Sequence, residues 1–236
     1  MSIAPEIADR LIEIGKYSSP VDKLLKLSAL YNGAIAFSTS FGEEDQVITE
    51  MIAKNKIPIR IFSLDTGRLF QESYDLADIT RSKYALNIEV YYPNNELVES
   101  LTLNKGFNSF YKGIEERKEC CNIRKIEPLN RALKGSKVWI TGLRSAQSEN
   151  RLGMQSFEYD NERELIKFNP LIDWTDDELK SYINLNKIPI NSLHSRGYKS
   201  IGCAPCTRAI MPGEHPRAGR WWWENSGKEC GLHSNR

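Results

Sequence analysis

Several things are missing from this 236-residue sequence. No apolar run approaches the ~18 residues that a membrane-spanning helix needs. The start, Met-Ser-Ile-Ala-Pro-Glu-Ile-Ala-Asp-Arg, lacks a basic stretch followed by an apolar core, so no secretory signal is read there. Charge of one sign is missing too: 32 Lys+Arg against 31 Asp+Glu leave +1, too little to favour nucleic acid or an anionic membrane as a partner. There is no internal repeat and no low-complexity linker. Cysteine is scarce, with five residues. An odd, clustered set argues against the disulfide framework of a small secreted domain. These absences are read as a cytoplasmic chain in a reducing compartment. The remaining composition, 40% hydrophobic and 27% charged, is that of a globular protein able to bury a proper core.

Along the chain, residues 3–16 and 20–32 carry apolar positions at helical spacing, with Ser19-Pro20 marking a helix start. Residues 34–37 then form a short apolar strand ending in Ser38-Thr39-Ser40-Phe41-Gly42-Glu43-Glu44-Asp45, ahead of a helix at 44–55. Strand, small-residue loop and helix present backbone donors and a helix dipole to an anion. The loop alone fits an ordinary, well-capped strand–helix turn better. A second strand, 59–64, runs into Asp65-Thr66-Gly67-Arg68, followed by a helix over 69–85. A third strand at 87–92 is stopped by Pro93. Helices are predicted over 95–104 and 113–134, strands over 137–143 and 165–171, and a capped helix start at 173–179. Alternation of this kind predicts an α/β fold with a mostly parallel twisted sheet and helices on both faces. Ligands then bind beyond the carboxyl ends of the strands, where the loops after 37, 64 and 142 converge. One domain is predicted: a helical segment 1–32, an α/β core about 33–190, and a loop-rich segment about 191–236 held by a metal site.

The cysteines fall in two kinds of place. Cys120 and Cys121 are adjacent, Cys203 and Cys206 form Cys-Ala-Pro-Cys, and Cys230 stands alone. Two pairs suit four-thiolate ligation of zinc or an iron–sulfur cluster. Adjacent side chains diverge, which strains a single tetrahedral ion and suits two irons of one cubane, so 4Fe–4S is preferred over zinc. A redox dithiol at 203–206 and inert buried thiols at 120–121 stay open. Cys230 lies near Lys228 and His233, with Arg217 and Arg220 upstream. Cations favour the nucleophilic thiolate, Glu229 opposes it, and an unused terminal thiol is the plain alternative. Arg217 and Arg220 suit an oxyanion. Trp221, Trp222 and Trp223 are read as packing residues rather than a base platform.

These residues together resemble the assimilatory adenylylsulfate reductases, the iron–sulfur branch of the adenylyl- and phosphoadenylylsulfate reductases. The resemblance rests on Cys-Cys-x-x-Arg-Lys at 120–125, Cys-Ala-Pro-Cys at 203–206, Arg-Ala-Gly-Arg-Trp-Trp-Trp-Glu at 217–224 and Glu-Cys-Gly-Leu-His at 229–233. Leu-Asp-Thr-Gly-Arg at 64–68 and Gly-Leu-Arg-Ser-Ala-Gln-Ser at 142–148 add to it, and similarity runs from about residue 20 onward.

The resemblance implies an adenine nucleotide alpha hydrolase-like fold. It implies thioredoxin-dependent (or glutaredoxin-dependent) reduction of adenosine 5′-phosphosulfate to sulfite and AMP, in sulfate assimilation toward cysteine. Cys230 would attack the sulfur and form an S-sulfonate. Cys120, Cys121, Cys203 and Cys206 would hold one 4Fe–4S cluster that does not itself carry the electrons. Lys125, Arg217, Arg220 and His233 would contact the phosphosulfate or position the thiol. Ser38, Thr39, Ser40, Gly42, Asp65, Thr66, Gly67 and Arg144 would line the nucleotide pocket. The loop at 38–45 departs from the Ser-Gly-Gly-x-Asp-Ser pattern of ATP-cleaving relatives, so no ATP turnover is expected. The chain ends at Arg236 without a fused glutaredoxin-like domain, so a separate reductant is expected; a homo-oligomer is compatible. Three alternatives carry their own signatures. A phosphoadenylylsulfate or dual-specificity enzyme would be told by kcat/KM, a tRNA-thiolating or adenylating enzyme by ATP turnover, and a zinc-stabilised binding module by absence of colour and indifference to Cys230.

Overall fold

The structure is a computed structural model that describes residues 5–147, 151 and 153–224. Capping sets the first boundaries. α1 (Pro5–Gly15) precedes α2 (Pro20–Tyr31), where Ser19 Oγ accepts from the Asp22 N–H at 3.3 Å and Pro20 opens the first turn. β1 (Ile35–Thr39), α3 (Glu43–Lys54), β2 (Arg60–Leu64), α4 (Gln71–Tyr84), β3 (Ile88–Tyr91) and α5 (Asn95–Lys105) follow. α6 (Ile114–Cys121), α7 (Glu127–Leu133), β4 (Val138–Ile140), β5 (Phe157–Asp160), β6 (Leu165–Phe168) and α8 (Asp176–Asn186) complete the described elements. α8 starts at a full capping box, Thr175 and Glu178 each closing on the other's backbone.

The six strands lie in the order β3-β2-β1-β4-β6-β5. β1 pairs with β4 and β4 with β6 in parallel; β5 pairs with β6 antiparallel. The α/β, mostly parallel architecture read from the sequence is the one observed. Successive strand residues face opposite sides of a sheet. Phe37, Val138, Ile140, Ile166 and Phe168 go to the apolar core with Val47 and Ile48 of α3. In the alternate row, Ala36, Trp139, Lys167 and Glu158 stand in register. The sheet order reverses between β1 and β4, the switch point where such folds bind ligands.

One predicted element differs and one strand is additional. The helix expected over 113–134 is broken: α6 gives way to a π segment, Asn122–Ile126, before α7. Pro128 has no N–H and its ring would clash with the carbonyl four residues back, which a wider turn relieves. β5 was not foreseen, because Phe-Glu-Tyr-Asp is short and half polar. It is an edge strand, and its Glu158 pairs with the buried Lys167 at 3.2 Å.

The chain divides into two compact units. The first comprises, among described residues, 5–62, 76–89 and 135–191, and holds the apolar core named above. The second comprises 63–75, 90–134 and 192–224. Its core gathers Leu101, Phe110, Cys120, Cys203, Cys206 and Trp221. Among the described residues no helix is long and apolar enough to cross a membrane.

Candidate active site

In the first unit the loop after β1 is tied down by the start of α3. The Asp45 carboxylate accepts from Ser40 N–H at 2.6 Å and from Ser40 Oγ–H at 2.7 Å. The Gly42 backbone also favours its charged form. Asp45 is buried, and burial pushes its carboxyl up to about 6 against the lowering effect of the Ser40 bonds. Thr39 Oγ1 accepts from the Phe41 N–H at 3.1 Å. Phe41 adopts the left-handed region with φ 59, a strain that a bulky residue keeps only when its surroundings enforce it. Ser38 is half-buried, and its Oγ accepts from Trp139 Nε1–H at 2.8 Å. After β4, a Cβ on Gly142 would collide with the Asp45 carboxylate and lie 3.1 Å from Glu44 Cβ, so the close approach of the two loops requires glycine there.

Arg144 is buried, and its guanidinium is engaged by Glu44 at 2.9 Å, the Trp174 carbonyl at 3.0 Å and Asp176 at 2.7 Å. It clamps the loop after β4 to α3 and to the start of α8.

The second unit collects the cysteines. Cys120 and Cys121 end α6; Cys203 and Cys206 flank a 3₁₀ turn in which Cys206 N–H donates to Cys203 O at 2.9 Å. All four are buried and none is in a disulfide. Burial raises the Cys120 thiol, with Cys203 adding to the rise. It pushes Cys206 up to about 12, with Cys203 and Cys121 adding to it. The four sulfurs thus feel one another electrostatically. Among the described residues, no three His, Cys, Asp or Glu side chains are disposed to hold a single metal ion.

The loop after β2 supports this quartet. Asp65 accepts from Gly67 N–H at 2.7 Å and from Tyr74 Oη–H at 3.0 Å. Burial, then that bond, pushes the Tyr74 phenol up to about 12. The Thr66 hydroxyl lies 3.2 Å from Cys203 Sγ. The Arg68 carbonyl accepts from Ala204 N–H at 2.8 Å. Arg124, buried, donates to the Thr66 carbonyl at 2.7 Å, and its charge favours the Cys120 thiolate. Arg124 was missed in the sequence reading, which took only its neighbour Lys125 from Cys-Cys-x-x-Arg-Lys. Asp45 and Trp139 were missed too. Asp45 carries a signal, five residues beyond Ser40; Trp139, in mid-strand, carries none.

The segment 217–224 lies back along the Cys-Ala-Pro-Cys turn. Trp221 N–H donates to the Cys206 carbonyl at 3.2 Å, and Arg208 N–H to the Gly219 carbonyl at 3.0 Å. Trp221 is fully buried, and the guanidinium groups of Arg117, at 4.6 Å, and Arg220, at 4.7 Å, both lie over its ring. The packing role read for these tryptophans holds for Trp221.

The model of the phosphoadenosine phosphosulfate reductase domain matches residues 34–209. The chain belongs to this family. Curated relatives named adenosine 5′-phosphosulfate reductase include those of Agrobacterium fabrum, 49% identical over 89% of this chain and 81% of the relative, and Rhizobium meliloti, 51% identical over 89% and 79%. The Burkholderia cepacia relative is 43% identical over 98% and 90%. Among solved structures, the phosphoadenylyl-sulfate reductase of Candida auris, a phosphate complex, is similar with TM-score 0.73 and 29% identity, covering 89% of this chain and 99% of that one. Yeast FAD synthetase in complex with FAD shares the fold alone, with TM-score 0.55 and 16% identity.

The other residues expected to serve this reductase fold are placed as follows. Lys125 is half-buried in the π segment, and its charge lowers Cys206. Arg220 is buried; it reaches the Ser200 hydroxyl and the Ile201 carbonyl at 3.3 Å each, and its Nε has no partner among the described residues. Arg217 is half-buried. Cys230 and His233 lie outside the described residues.

Proposed function

We propose that this chain reduces adenosine 5′-phosphosulfate to sulfite and AMP in sulfate assimilation, as an oxidoreductase acting on a sulfur group. The observation that carries the reading is identity near one half, over most of the chain, to relatives bearing that activity in their names. The buried quartet Cys120, Cys121, Cys203 and Cys206 favours this nucleotide over its 3′-phosphorylated form, since relatives devoted to the latter generally lack the paired cysteines.

The donor set fits an iron–sulfur cluster. Four soft sulfurs share one buried region, the Arg124 charge favours the Cys120 thiolate, and Thr66 touches Cys203. Those four cysteines would hold a 4Fe–4S group, which supplies a fixed structural and electrostatic setting rather than electrons.

The residues then divide the work. The loop Ser38–Gly42 and the turn Asp65–Gly67 take the nucleotide. Lys125, Arg217, Arg220 and His233 neutralise the phosphosulfate, which otherwise repels an approaching thiolate. The Cys230 thiolate attacks the sulfur; the new S–S bond forms as the S–O bond to AMP breaks, and the electron pair leaves with AMP. A thiolate of a separate thioredoxin-type dithiol then attacks Cys230 Sγ and expels sulfite. Its second thiol resolves the mixed disulfide, so dithiol oxidation supplies both electrons. This chemistry belongs in a reducing cytoplasm.

The test uses anaerobically purified protein, labelled adenosine 5′-phosphosulfate and no reductant. A sulfonate adduct on Cys230 with release of AMP is expected. Cys230→Ser gives no adduct and keeps its iron; Cys203→Ser loses iron and activity. Zinc in place of iron, or normal turnover by Cys230→Ser, overturns the reading.

A further inference from the structure

The end of β1 and the loop after it offer two serine hydroxyls on one side of the strand path, Ser38 in the strand and Ser40 just beyond it, and their hydrogen bonds run in opposite senses. A hydroxyl has one proton and two lone pairs; an indole N–H only donates, and an ionised carboxylate only accepts. At Ser38, Trp139 Nε1–H occupies a lone pair at 2.8 Å, and the hydroxyl makes no other hydrogen bond among the described residues. Its proton is uncommitted. At Ser40 both protons, N–H and O–H, are spent on Asp45 at 2.6 and 2.7 Å. What Ser40 turns outward is lone-pair density, which an oxyanion avoids.

We infer that Trp139 is a positioning residue that makes Ser38, and not Ser40, the side-chain donor of this loop to the oxyanion of the bound nucleotide. The inference rests on the reading of the loop as the substrate's anion site. Trp139 is itself held. It is fully buried at the centre of β4, between Ala36 of β1 and Lys167 of β6 in register. The Arg163 guanidinium lies 5.8 Å over its ring, and Arg163 is anchored on Asp160 at 2.8 Å with both side chains buried. An indole fixed by packing and a cation keeps its N–H aimed without losing rotamer freedom at binding. Ser40 is the staple that lets Asp45 shape the loop, and Ser38 is the reader.

Steady-state kinetics with adenosine 5′-phosphosulfate on four variants test this. Ser38→Ala is expected to raise KM about ten- to hundredfold, the worth of a hydrogen bond to a charged group, with kcat changed far less. Trp139→Phe keeps an aromatic ring and removes the indole N–H together with part of the ring's volume; KM is expected to rise about three- to tenfold, and the thermal midpoint reads the packing loss separately. The double variant is expected to be no worse than Ser38→Ala alone, because Trp139 acts through that hydroxyl. Ser40→Ala is expected to raise KM less than Ser38→Ala. Full additivity of the Trp139 and Ser38 effects overturns the inference, since packing alone would produce it. A larger KM effect at Ser40 than at Ser38 also overturns it, and this comparison stands even where Trp139→Phe does not fold. An active wild type with an unaffected Ser38→Ala removes this inference alone; a wild type that does not turn over the nucleotide removes the proposed function with it.

Discussion

The hydroxyl of Thr66 lies 3.2 Å from Sγ of Cys203, across 137 residues of chain. The same loop accepts Ala204 N–H on the Arg68 carbonyl and Arg124 on the Thr66 carbonyl. The turn after β2 is therefore a brace for the cysteine turn as well as an expected wall of the nucleotide pocket. Thr66→Val keeps the shape and removes the hydroxyl. Its iron is expected to be lost about fivefold faster in air-equilibrated buffer, the equivalent of roughly 1 kcal/mol for one net hydrogen bond. Bleaching of the visible absorbance measures it, and an unchanged rate would count against the brace.

Arg117 and Glu224 form a buried ion pair at 2.6 Å, under the Trp221 ring that Arg117 also faces. Arg117→Met leaves a carboxylate buried without its cation, so a loss of about 3–5 kcal/mol is expected in urea denaturation. The double variant Arg117→Met with Glu224→Leu removes both charges and is expected to regain much of that loss. A double variant as unstable as the single would show that the pair's geometry, not its charge balance, is what matters.

Asp45 predicts a pH dependence. Its folded carboxyl sits near 6 because burial outweighs the Ser40 bonds, with Glu44 adding to the rise, against a usual value of 3.8. Between those values the folded chain holds a proton that the unfolded chain has lost. This group's contribution to stability is therefore largest at the acid side, falls as pH rises through the window, and is level above about 6. Asp45→Asn removes that component. From about pH 4 to 7 the wild-type denaturation midpoint should fall relative to that of Asp45→Asn; parallel curves would exclude Asp45 as the source.

Gly202 carries a more local prediction. A Cβ there would meet the Arg220 guanidinium, which is buried and stacked on Trp221. Gly202→Ala should displace Arg220 and lower kcat/KM at least tenfold, while the thermal midpoint moves by only a few degrees, about 1 kcal/mol. A variant with normal kcat/KM would mean that Arg220 serves the tryptophan and not the substrate.

Much of this was legible in residues that act locally. Ser19 and Pro20 start α2, and Thr175 with Glu178 starts α8, because a cap needs only the next three residues. Strands such as Ile35–Thr39 and Leu165–Phe168 showed as apolar runs. The cysteine pairs, whose spacing suggested a shared site, all lie buried in the second unit. What stayed hidden depends on distant partners. Nothing near Arg144 says that Glu44 and Asp176 will consume its guanidinium. Nothing near Trp139 says that its N–H will meet Ser38, one strand over. Pro128 could have flagged the π segment, which lies within the single helix expected over 113–134.

The second unit draws on three separate stretches, with Cys120 and Cys121 in one and Cys203 and Cys206 in another. Closing so long a loop is thermodynamically cheap, since each doubling of length adds only about 0.6 kcal/mol. The cost is in time. At a synthesis pace of about 5–20 residues per second, the first two cysteines emerge on the order of ten seconds before their counterparts. The proposed cluster could therefore be completed only after residue 206 has left the ribosome, and until then Cys120 and Cys121 wait without their counterparts.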